Sequence, residues 1–316
     1  MAVSIKKVVA VAPFQHPSSI NFKTAAYNAW EQTGGQIANS HYPPRSLHGV
    51  FFRWEFPCIY RNKQEARLRF VEPISIKFDT FPDYVRYEII PFVWDCWPDM
   101  FEKMCQWFVR HKIRTAIFTS SQTAELMRGR FPKMNILAIT EGIDTSVYHA
   151  GKELKDRNID LLEFGRSNKR IFKAELSKSI NHVCTYVNGH YVFSNEQLFH
   201  AMADARITVC LPRCDTQPEK AGNIETLTQR YWEAMLSRMI MLGRAPKELT
   251  DLIGYKPVVD LDAEYAGEQI ADILAHVEEY QPLVDRNRDT AVIHGDWMQR
   301  MKIVKEWLTE KGYNTL

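Results

Sequence analysis

The chain has 316 residues, of which 45% are hydrophobic and 25% are charged, and its formal net charge is +2. This balance is typical of globular proteins and gives room for two domains of about 150 residues each, or for one large α/β unit. A net charge so close to zero argues against a protein that wraps nucleic acid.

The six cysteines are scattered along the chain, and none forms the C-x-x-C pair that zinc sites favour. We interpret them as reduced thiols, which suits a cytoplasmic protein. The amino-terminal stretch MAVSIKKVVAVAPF has only a short apolar run, so we interpret it as a first strand rather than a signal peptide. No stretch approaches the roughly 18 apolar residues of a membrane span, so the sequence predicts a soluble protein that could still contact a membrane surface.

The first half alternates strand-like and helical patterns, as a Rossmann-like unit does. A buried strand is predicted over residues 8–11, and the loop after it lacks glycine, so the G-x-G-x-x-G dinucleotide motif is absent. His16 lies in this loop, where such folds place site residues, although a loop residue of no special role fits equally well. Further strands are predicted over residues 50–59, 68–76, 87–93, 115–118 and 135–139.

Asp95 follows the predicted strand YEIIPFV and precedes a predicted helix over residues 98–111. At the carboxyl end of a parallel strand it is a candidate for ligand contact. It is also suited to cap that helix, and the two roles are compatible.

The charged, turn-rich segment after residue 140 predicts a domain boundary. We divide the chain into an amino-terminal domain (1–148), a carboxy-terminal domain (149–284) and a last helical segment (285–316) that could pack back on the first domain.

The second half opens with the strand pattern IDLLEF, followed by Gly165 and the cations Arg166, Lys169 and Arg170 at the start of a predicted helix. A glycine turn and a helix N-terminus direct backbone N–H groups and the helix dipole at an anion. Arginine can bind phosphate through two hydrogen bonds. Because the dipole disfavours cations there unless an anion is bound, the pattern favours phosphate over merely exposed basic residues.

The stretch ETLTQRYWEAMLSRMIMLG contains two carboxylates, Glu225 and Glu233, with seven residues between them. We interpret it as a helix that carries both acids, then a tight turn and a buried strand that Gly243 closes. Most such glutamate pairs are solvated, so the pair alone indicates little. Later elements include a turn at residues 188–189, helices over 195–205, 263–280 and 285–311, and strands over 207–211 and 257–260. The alternation predicts two α/β domains with parallel sheets and a ligand site between them.

Four segments, in this order, resemble motifs of the retaining GT-B fold glycosyltransferases of the group 1 family. They are EGIDTSVYH at the predicted junction, LLEFGRSNKR for the F-x-G-R phosphate loop, SNEQLFHAMADARITVCLP for the segment that ends in A-D-x-x-x-x-P-S, and the stretch with the spaced glutamates followed by A-M. The resemblance is clearest over residues 140–262. It implies a GT-B architecture, in which two Rossmann-like domains with parallel sheets face a central cleft and the second domain binds the donor.

The resemblance also implies roles for individual residues. Glu225 would bind hydroxyl groups of the donor sugar, and Glu233 would bind the ribose hydroxyls of the nucleotide. Arg166, helped by Lys169 or Arg170, would bind the diphosphate and stabilise its charge as it leaves, without a metal.

The nucleotide base would lie near residues 190–193, beside Phe193. In three places the sequence departs from the family. The family's amino-terminal glycine loop is here the glycine-free loop that contains His16. The family's phosphate-loop lysine is replaced by isoleucine, and TLTQRYW replaces a glycine-rich segment between the glutamates. Thr226, Leu227 and Thr228 are therefore candidates to donate hydrogen bonds to the donor sugar, and Arg230 is a candidate for a further phosphate contact.

The resemblance implies a retaining, metal-independent hexosyltransferase with no separate cofactor. It would move a sugar from a nucleoside-diphosphate sugar, such as UDP-glucose, to a saccharide or lipid-linked acceptor in polysaccharide or glycoconjugate synthesis. His16 and Asp95 are candidates to orient the acceptor or to shield the cationic sugar. Two alternatives stay open: a sugar-nucleotide epimerase of the same fold, and a two-domain protein that binds a small ligand without chemistry.

Overall fold

The computed structural model describes residues 5–13, 22–39, 62–165 and 176–316. His16, the strand predicted over 50–59 and the cations Arg166, Lys169 and Arg170 lie outside these residues. The chain divides into two compact units. The first comprises Met1–Thr140, Lys220–Ile224 and Trp297–Leu316, and the second comprises Glu141–Glu219 and Glu225–Asp296. The domain boundaries at residues 148 and 284 stay a prediction.

The strands of the described residues are numbered in chain order. They are β1 (Lys6–Val11), β2 (Gln36–Ala38), β3 (Glu65–Val71), β4 (Glu88–Val93), β5 (Thr115–Phe118), β6 (Asn135–Ala138), β7 (Ile159–Glu163), β8 (His182–Cys184), β9 (Tyr186–Val187), β10 (His190–Tyr191), β11 (Ala205–Cys210), β12 (Ile240–Gly243), β13 (Val259–Asp260) and β14 (Tyr313–Asn314).

The α-helices of the same residues are α1 (Phe22–Gln32), α2 (Ile76–Thr80), α3 (Pro98–His111), α4 (Ser121–Arg130), α5 (Asn195–Ala203), α6 (Arg213–Thr216), α7 (Pro218–Ala221), α8 (Gln229–Leu236), α9 (Lys247–Ile253), α10 (Ala266–Ala275), α11 (Gln281–His294) and α12 (Trp297–Glu310). None of these helices combines the length and the apolar character that crossing a membrane requires.

The first unit contains a parallel sheet with the strand order β14-β1-β3-β4-β5-β6, and β2 also pairs with β1. A parallel sheet is covered on both faces, which explains why β4 is buried at all six positions. Pro91 lies inside this central strand although proline cannot donate to a ladder. It is in register with Arg69 of β3, and β4 pairs with β5 from Phe92 onward.

Two apolar clusters cover the faces of this sheet. On one face, Trp30 of α1 and Trp297 of α12 pack with Phe92. On the other face, Phe108 of α3 packs with Phe118. Residues at successive positions of a strand point to opposite faces, so the near-continuous apolar strands supply both clusters.

The second unit contains a parallel sheet with the order β13-β12-β11-β7-β8. Leu162 packs on the face that α8 covers, and its neighbour Leu161 packs on the opposite face with Ile270 of α10. The predicted turn at Asn188 and Gly189 is confirmed, since it joins the antiparallel strands β9 and β10, and both residues have positive φ.

Two helix predictions were wrong. The helix that should carry both glutamates begins only at Gln229, which leaves Glu225 in an extended segment. In that segment the Leu227 N–H donates to the carboxylate of Glu248 (2.7 Å). The helix predicted over 285–311 is two helices, α11 and α12. The chain breaks between them where Gly295 accepts a hydrogen bond from the Ile143 N–H (2.8 Å).

Candidate functional site

The candidate site of the second unit lies where the strand order of its sheet reverses. Open parallel sheets bind ligands at the carboxyl ends of the strands, at this switch point. Here β7 lies between β8 and β11, so the switch point falls at the ends of β7 and β11. Glu163 ends β7, Phe164 and Gly165 follow it into this position, and Cys210 ends β11.

Arg230 lies at this switch point, against Gly165. The glycine has φ +77°, and a Cβ placed on it would come within 2.3 Å of Nη2 of Arg230. The guanidinium carbon is 5.5 Å from the ring centroid of Phe164. Within the described ranges, the Arg230 side chain makes no hydrogen bond or ion pair. Because it is the second residue of α8, where the helix dipole disfavours a cation, the guanidinium is suited to bind an anion.

Glu233 lies one helical turn beyond Arg230 and is held by Tyr148. The tyrosine hydroxyl donates a hydrogen bond to the carboxylate at 3.1 Å. Burial raises the pKa of Glu233, although the nearby Arg230 and the Tyr148 hydrogen bond oppose that shift. Burial and the Glu233 charge raise the pKa of Tyr148, which therefore stays a donor. The carboxylate keeps further oxygen lone pairs that can accept hydroxyl groups.

Hydrogen bonds join the start of α8 to the segment EGIDTSVYH. The carboxylate of Glu141 accepts from the Gln229 N–H (3.3 Å), and its carbonyl accepts from the Trp232 indole N–H (2.9 Å). The Gln229 side chain donates to the carbonyl of Gly142 (3.0 Å). A carboxylate is favourable at a helix N-terminus. The junction segment thus positions the helix that presents Arg230 and Glu233.

Sequence reasoning did not assign Glu141 or Tyr148 to the site. Both belong to the junction segment EGIDTSVYH, which the motif resemblance identified without giving a role to its individual residues. That resemblance is the signal that could have directed attention to them.

Glu225 is engaged in an ion-pair network at the start of α9. Its carboxylate accepts from Nη1 of Arg244 (2.8 Å) and from the Lys247 N–H (3.0 Å). Arg244 also pairs with Asp215 at 2.7 Å and 2.9 Å. The contact with the donor sugar stays a prediction, and any such contact would have to coexist with the Arg244 pair.

The remaining predicted donor contacts flank α8. Thr226 and Leu227 are buried, and the Leu227 N–H is used by Glu248. Thr228 precedes α8, and its carbonyl accepts from the Tyr231 N–H (3.3 Å). Phe193 is half-buried and packs against the apolar cluster that contains Tyr148. Their roles in donor binding stay predictions.

Asp95 lies in the first unit, where it follows β4 and is exposed. The interpretation that it caps α3 was wrong. Trp97 occupies the cap position, and its side chain makes no capping hydrogen bond. Asp95 instead adopts φ 50°, and its carbonyl accepts from the Trp97 N–H (3.0 Å). A left-handed residue other than glycine at a strand end is strained, which keeps Asp95 a candidate for contact with a ligand.

The switch point of the first unit, at the ends of β1 and β3, carries a charged group that sequence reasoning missed. Nζ of Lys23 lies 2.8 Å from Glu72 and 3.6 Å from Asp79. The hydroxyl of Ser75 donates to Asp79 (2.6 Å). Burial raises the pKa of Asp79 despite Lys23 and this hydrogen bond. No local sequence pattern connects Lys23 to Glu72 and Asp79.

Two Rossmann-like units, each built on a parallel sheet, are the architecture of GT-B glycosyltransferases, so the predicted fold is confirmed. The chain is similar to HepE of Anabaena in complex with UDP and glucose, with a TM-score of 0.62 and 9% identity over 96% of this chain and 100% of that one. It is also similar to AviGT4, a glycosyltransferase involved in avilamycin A biosynthesis, with a TM-score of 0.55 and 12% identity over 98% of each chain.

A third similar structure is sucrose-phosphate synthase from Thermosynechococcus elongatus, with a TM-score of 0.58 and 11% identity over 97% of this chain and 99% of that one. No protein-family model matches the sequence, and no curated protein matches it. At these identities the similarity establishes the fold, and function has to be argued from the site.

Proposed function

We propose that the protein is a glycosyltransferase that uses a nucleoside-diphosphate sugar. The observation that carries the proposal is the position of Arg230 over Gly165 at the switch point of the second unit, one helical turn from Glu233. The cation suits a diphosphate, and the half-buried carboxylate suits the two ribose hydroxyls of a nucleotide.

A UDP-sugar is the donor that we propose, with UDP-glucose or a close relative first. The similar protein HepE has been crystallised with UDP and glucose and with UDP-glucose. In this chain, Glu233 and Tyr148 would hold the ribose, Phe193 would lie beside the base, and Glu225 would contact the sugar.

The proposed reaction retains the configuration of the sugar and needs no metal at the diphosphate. The bond from the sugar C1 to the β-phosphate oxygen breaks, and the electron pair stays on that oxygen. The acceptor hydroxyl oxygen bonds to C1 on the same face, and its proton passes to the leaving phosphate oxygen. Arg230, with Arg166, Lys169 and Arg170, would stabilise the charge that develops on the diphosphate.

The acceptor in this proposal is a hydroxyl group of a saccharide or of a lipid-linked saccharide, used in glycoconjugate synthesis. His16 and Asp95 are the residues that we propose for orienting it. The setting would be cytoplasmic, with contact to a membrane surface where the acceptor is lipid-linked.

The test is UDP release from UDP-glucose without acceptor, followed by a screen of saccharide acceptors. We expect slow hydrolysis by the wild-type protein and a loss of roughly tenfold or more in Arg230→Ala. Arg286→Ala is the matched control, because that guanidinium stacks on Tyr255 at 3.8 Å in the same unit. Tight UDP-glucose binding with no turnover for any acceptor would instead indicate a binding protein, and conversion to another UDP-sugar would indicate an epimerase.

A further inference from the structure

Three side chains with metal-binding chemistry converge at the edge of the sheet in the second unit. Glu163 ends β7, and His182 and Cys184 lie on the edge strand β8. Glu163 pairs with Cys184 in the strand register. Since alternate residues of a strand share a face, His182 projects on the same side as Cys184. Parallel pairing therefore brings a carboxylate, an imidazole and a thiol together.

Each pairwise contact among these side chains has the length of a ligand separation at zinc. The two contacts of Glu163 use different carboxylate oxygens, and one ligand atom from each of the three side chains lies within 4.8 Å of the others. Sγ of Cys184 lies 3.3 Å from Nε2 of His182 and 3.6 Å from Oε2 of Glu163, and Nε2 of His182 lies 3.7 Å from Oε1 of Glu163. A tetrahedral zinc ion bound at about 2.3 Å to sulfur and about 2.0–2.2 Å to nitrogen and oxygen separates its ligand atoms by roughly 3.3–3.7 Å.

A nucleophilic thiol relay does not explain this arrangement. Such a relay uses both imidazole nitrogens, one toward the nucleophile and the other toward the carboxylate. Here Cys184 and Glu163 both approach the same nitrogen, Nε2 of His182. Three ligand atoms directed at one another fit a shared cation in the space between them.

The burial of Glu163 supports the same conclusion. Its side chain is only 7% exposed, and the basic side chain within 4 Å of it in the described parts of the chain is His182. A buried carboxylate needs a compensating charge. A divalent cation would supply it.

We propose that Glu163, His182 and Cys184 bind one zinc ion, with a water molecule at the fourth position. Thiolate and imidazole donors favour zinc over magnesium or calcium, which prefer oxygen ligands. Binding replaces the thiol proton of Cys184 by the metal and releases that proton to solvent. One thiolate and one carboxylate leave the site electrically neutral.

The zinc site lies on the other face of the sheet from Arg230. Leu162 packs on the face that α8 covers, whereas Leu161 packs on the opposite face. Glu163 alternates with Leu162 and so shares the face of Leu161. The ion would hold the edge strand β8 against β7, the strand that leads into Gly165, and it would take no part in binding the diphosphate. This proposal is independent of the proposed transferase activity.

The test uses the full chain, stripped of metal with a chelator and then titrated with Zn²⁺ by calorimetry and with Co²⁺ by absorption spectroscopy. We expect one ion per chain and a thiolate-to-cobalt charge-transfer band. Cys184→Ser should abolish the band and weaken Zn²⁺ binding by roughly tenfold or more. Glu163→Gln should weaken binding and keep the band. Cys214→Ser, which changes another partly buried thiol of the same unit, should change neither.

X-ray absorption at the zinc edge of the wild-type protein gives a readout that needs no variant. We expect one sulfur neighbour at about 2.3 Å and nitrogen or oxygen neighbours at about 2.0–2.2 Å. Coordination by nitrogen and oxygen alone, absence of stoichiometric binding, or equal losses in Cys184→Ser and Cys214→Ser would each overturn the proposal.

Discussion

The hydroxyl of Tyr148 donates a 3.1 Å hydrogen bond to the carboxylate of Glu233, 85 positions later in the chain. The bond links the segment EGIDTSVYH to the helix that also presents Arg230. It fixes one carboxylate oxygen and leaves the remaining lone pairs for a ligand. The position of the Glu233 carboxylate therefore depends on a residue outside its own helix.

If Glu233 binds ribose, Glu233→Ala should weaken the binding of UDP by about 1.5–3 kcal/mol for each hydrogen bond lost to the charged group. Tyr148→Phe should cost less, about 1 kcal/mol, because the carboxylate stays in place. Calorimetry with UDP measures both losses. Unchanged affinity in Glu233→Ala would remove the ribose assignment.

Glu225→Ala should leave UDP affinity nearly intact and reduce the extra affinity that the sugar of UDP-glucose provides. The same change also removes the acceptor of Arg244 and of the Lys247 N–H, so it should lower stability as well. Arg244→Ala is the control, since it breaks the same ion pair while keeping the carboxylate. Equal losses for UDP and UDP-glucose in Glu225→Ala would rule out this division of roles.

Stability should depend on pH through Glu233. Because burial raises its pKa in the folded state, the folded protein binds the proton more tightly than the unfolded chain. The resulting stabilisation is present below the ordinary carboxyl pKa and is lost as the pH rises through the folded-state value. Glu233→Gln should therefore melt above the wild-type protein at pH 7, and the difference should shrink toward pH 4. A lower Tm for Glu233→Gln at pH 7 would contradict this account.

His111 should make the first unit sensitive to acid. Burial, helped by Arg110 and Lys77, lowers the pKa of His111 to about 4, and its ring packs on Trp107 at 4.5 Å. In the unfolded chain His111 binds a proton near pH 6.5, whereas in the folded protein it does so only near pH 4. The free energy of unfolding therefore falls between about pH 6.5 and pH 4.

His111→Phe should reduce the acid-induced loss in the free energy of unfolding by up to about 3 kcal/mol, because phenylalanine binds no proton. Urea unfolding at pH 7 and pH 4.5 measures it, with the exposed His276→Phe as the control. Parallel losses in wild-type protein and His111→Phe would show that another group is responsible.

The sequence by itself determined several buried strands and the class of fold. Short apolar runs bounded by glycine or polar turns predicted buried strands at β4, β5, β7, β11 and β12, because strands covered on both faces need apolar residues at every position. Pro98 and the polar positions after it predicted α3 with the bounds that the structure has. The order of four short motifs was enough to predict the GT-B fold.

Only the tertiary structure decided which of the candidate site residues are in contact with each other. It moved Glu225 off the helix and into a pair with Arg244, placed Arg230 against Gly165, and joined Tyr148 to Glu233. It also brings Glu163, His182 and Cys184 together from two strands. The sequence has no C-x-x-C spacing that would predict such a group. Local periodicity records whether a residue is buried. Which distant residue a side chain contacts depends on strand register and on how the helices pack. Both are determined by packing over the whole unit.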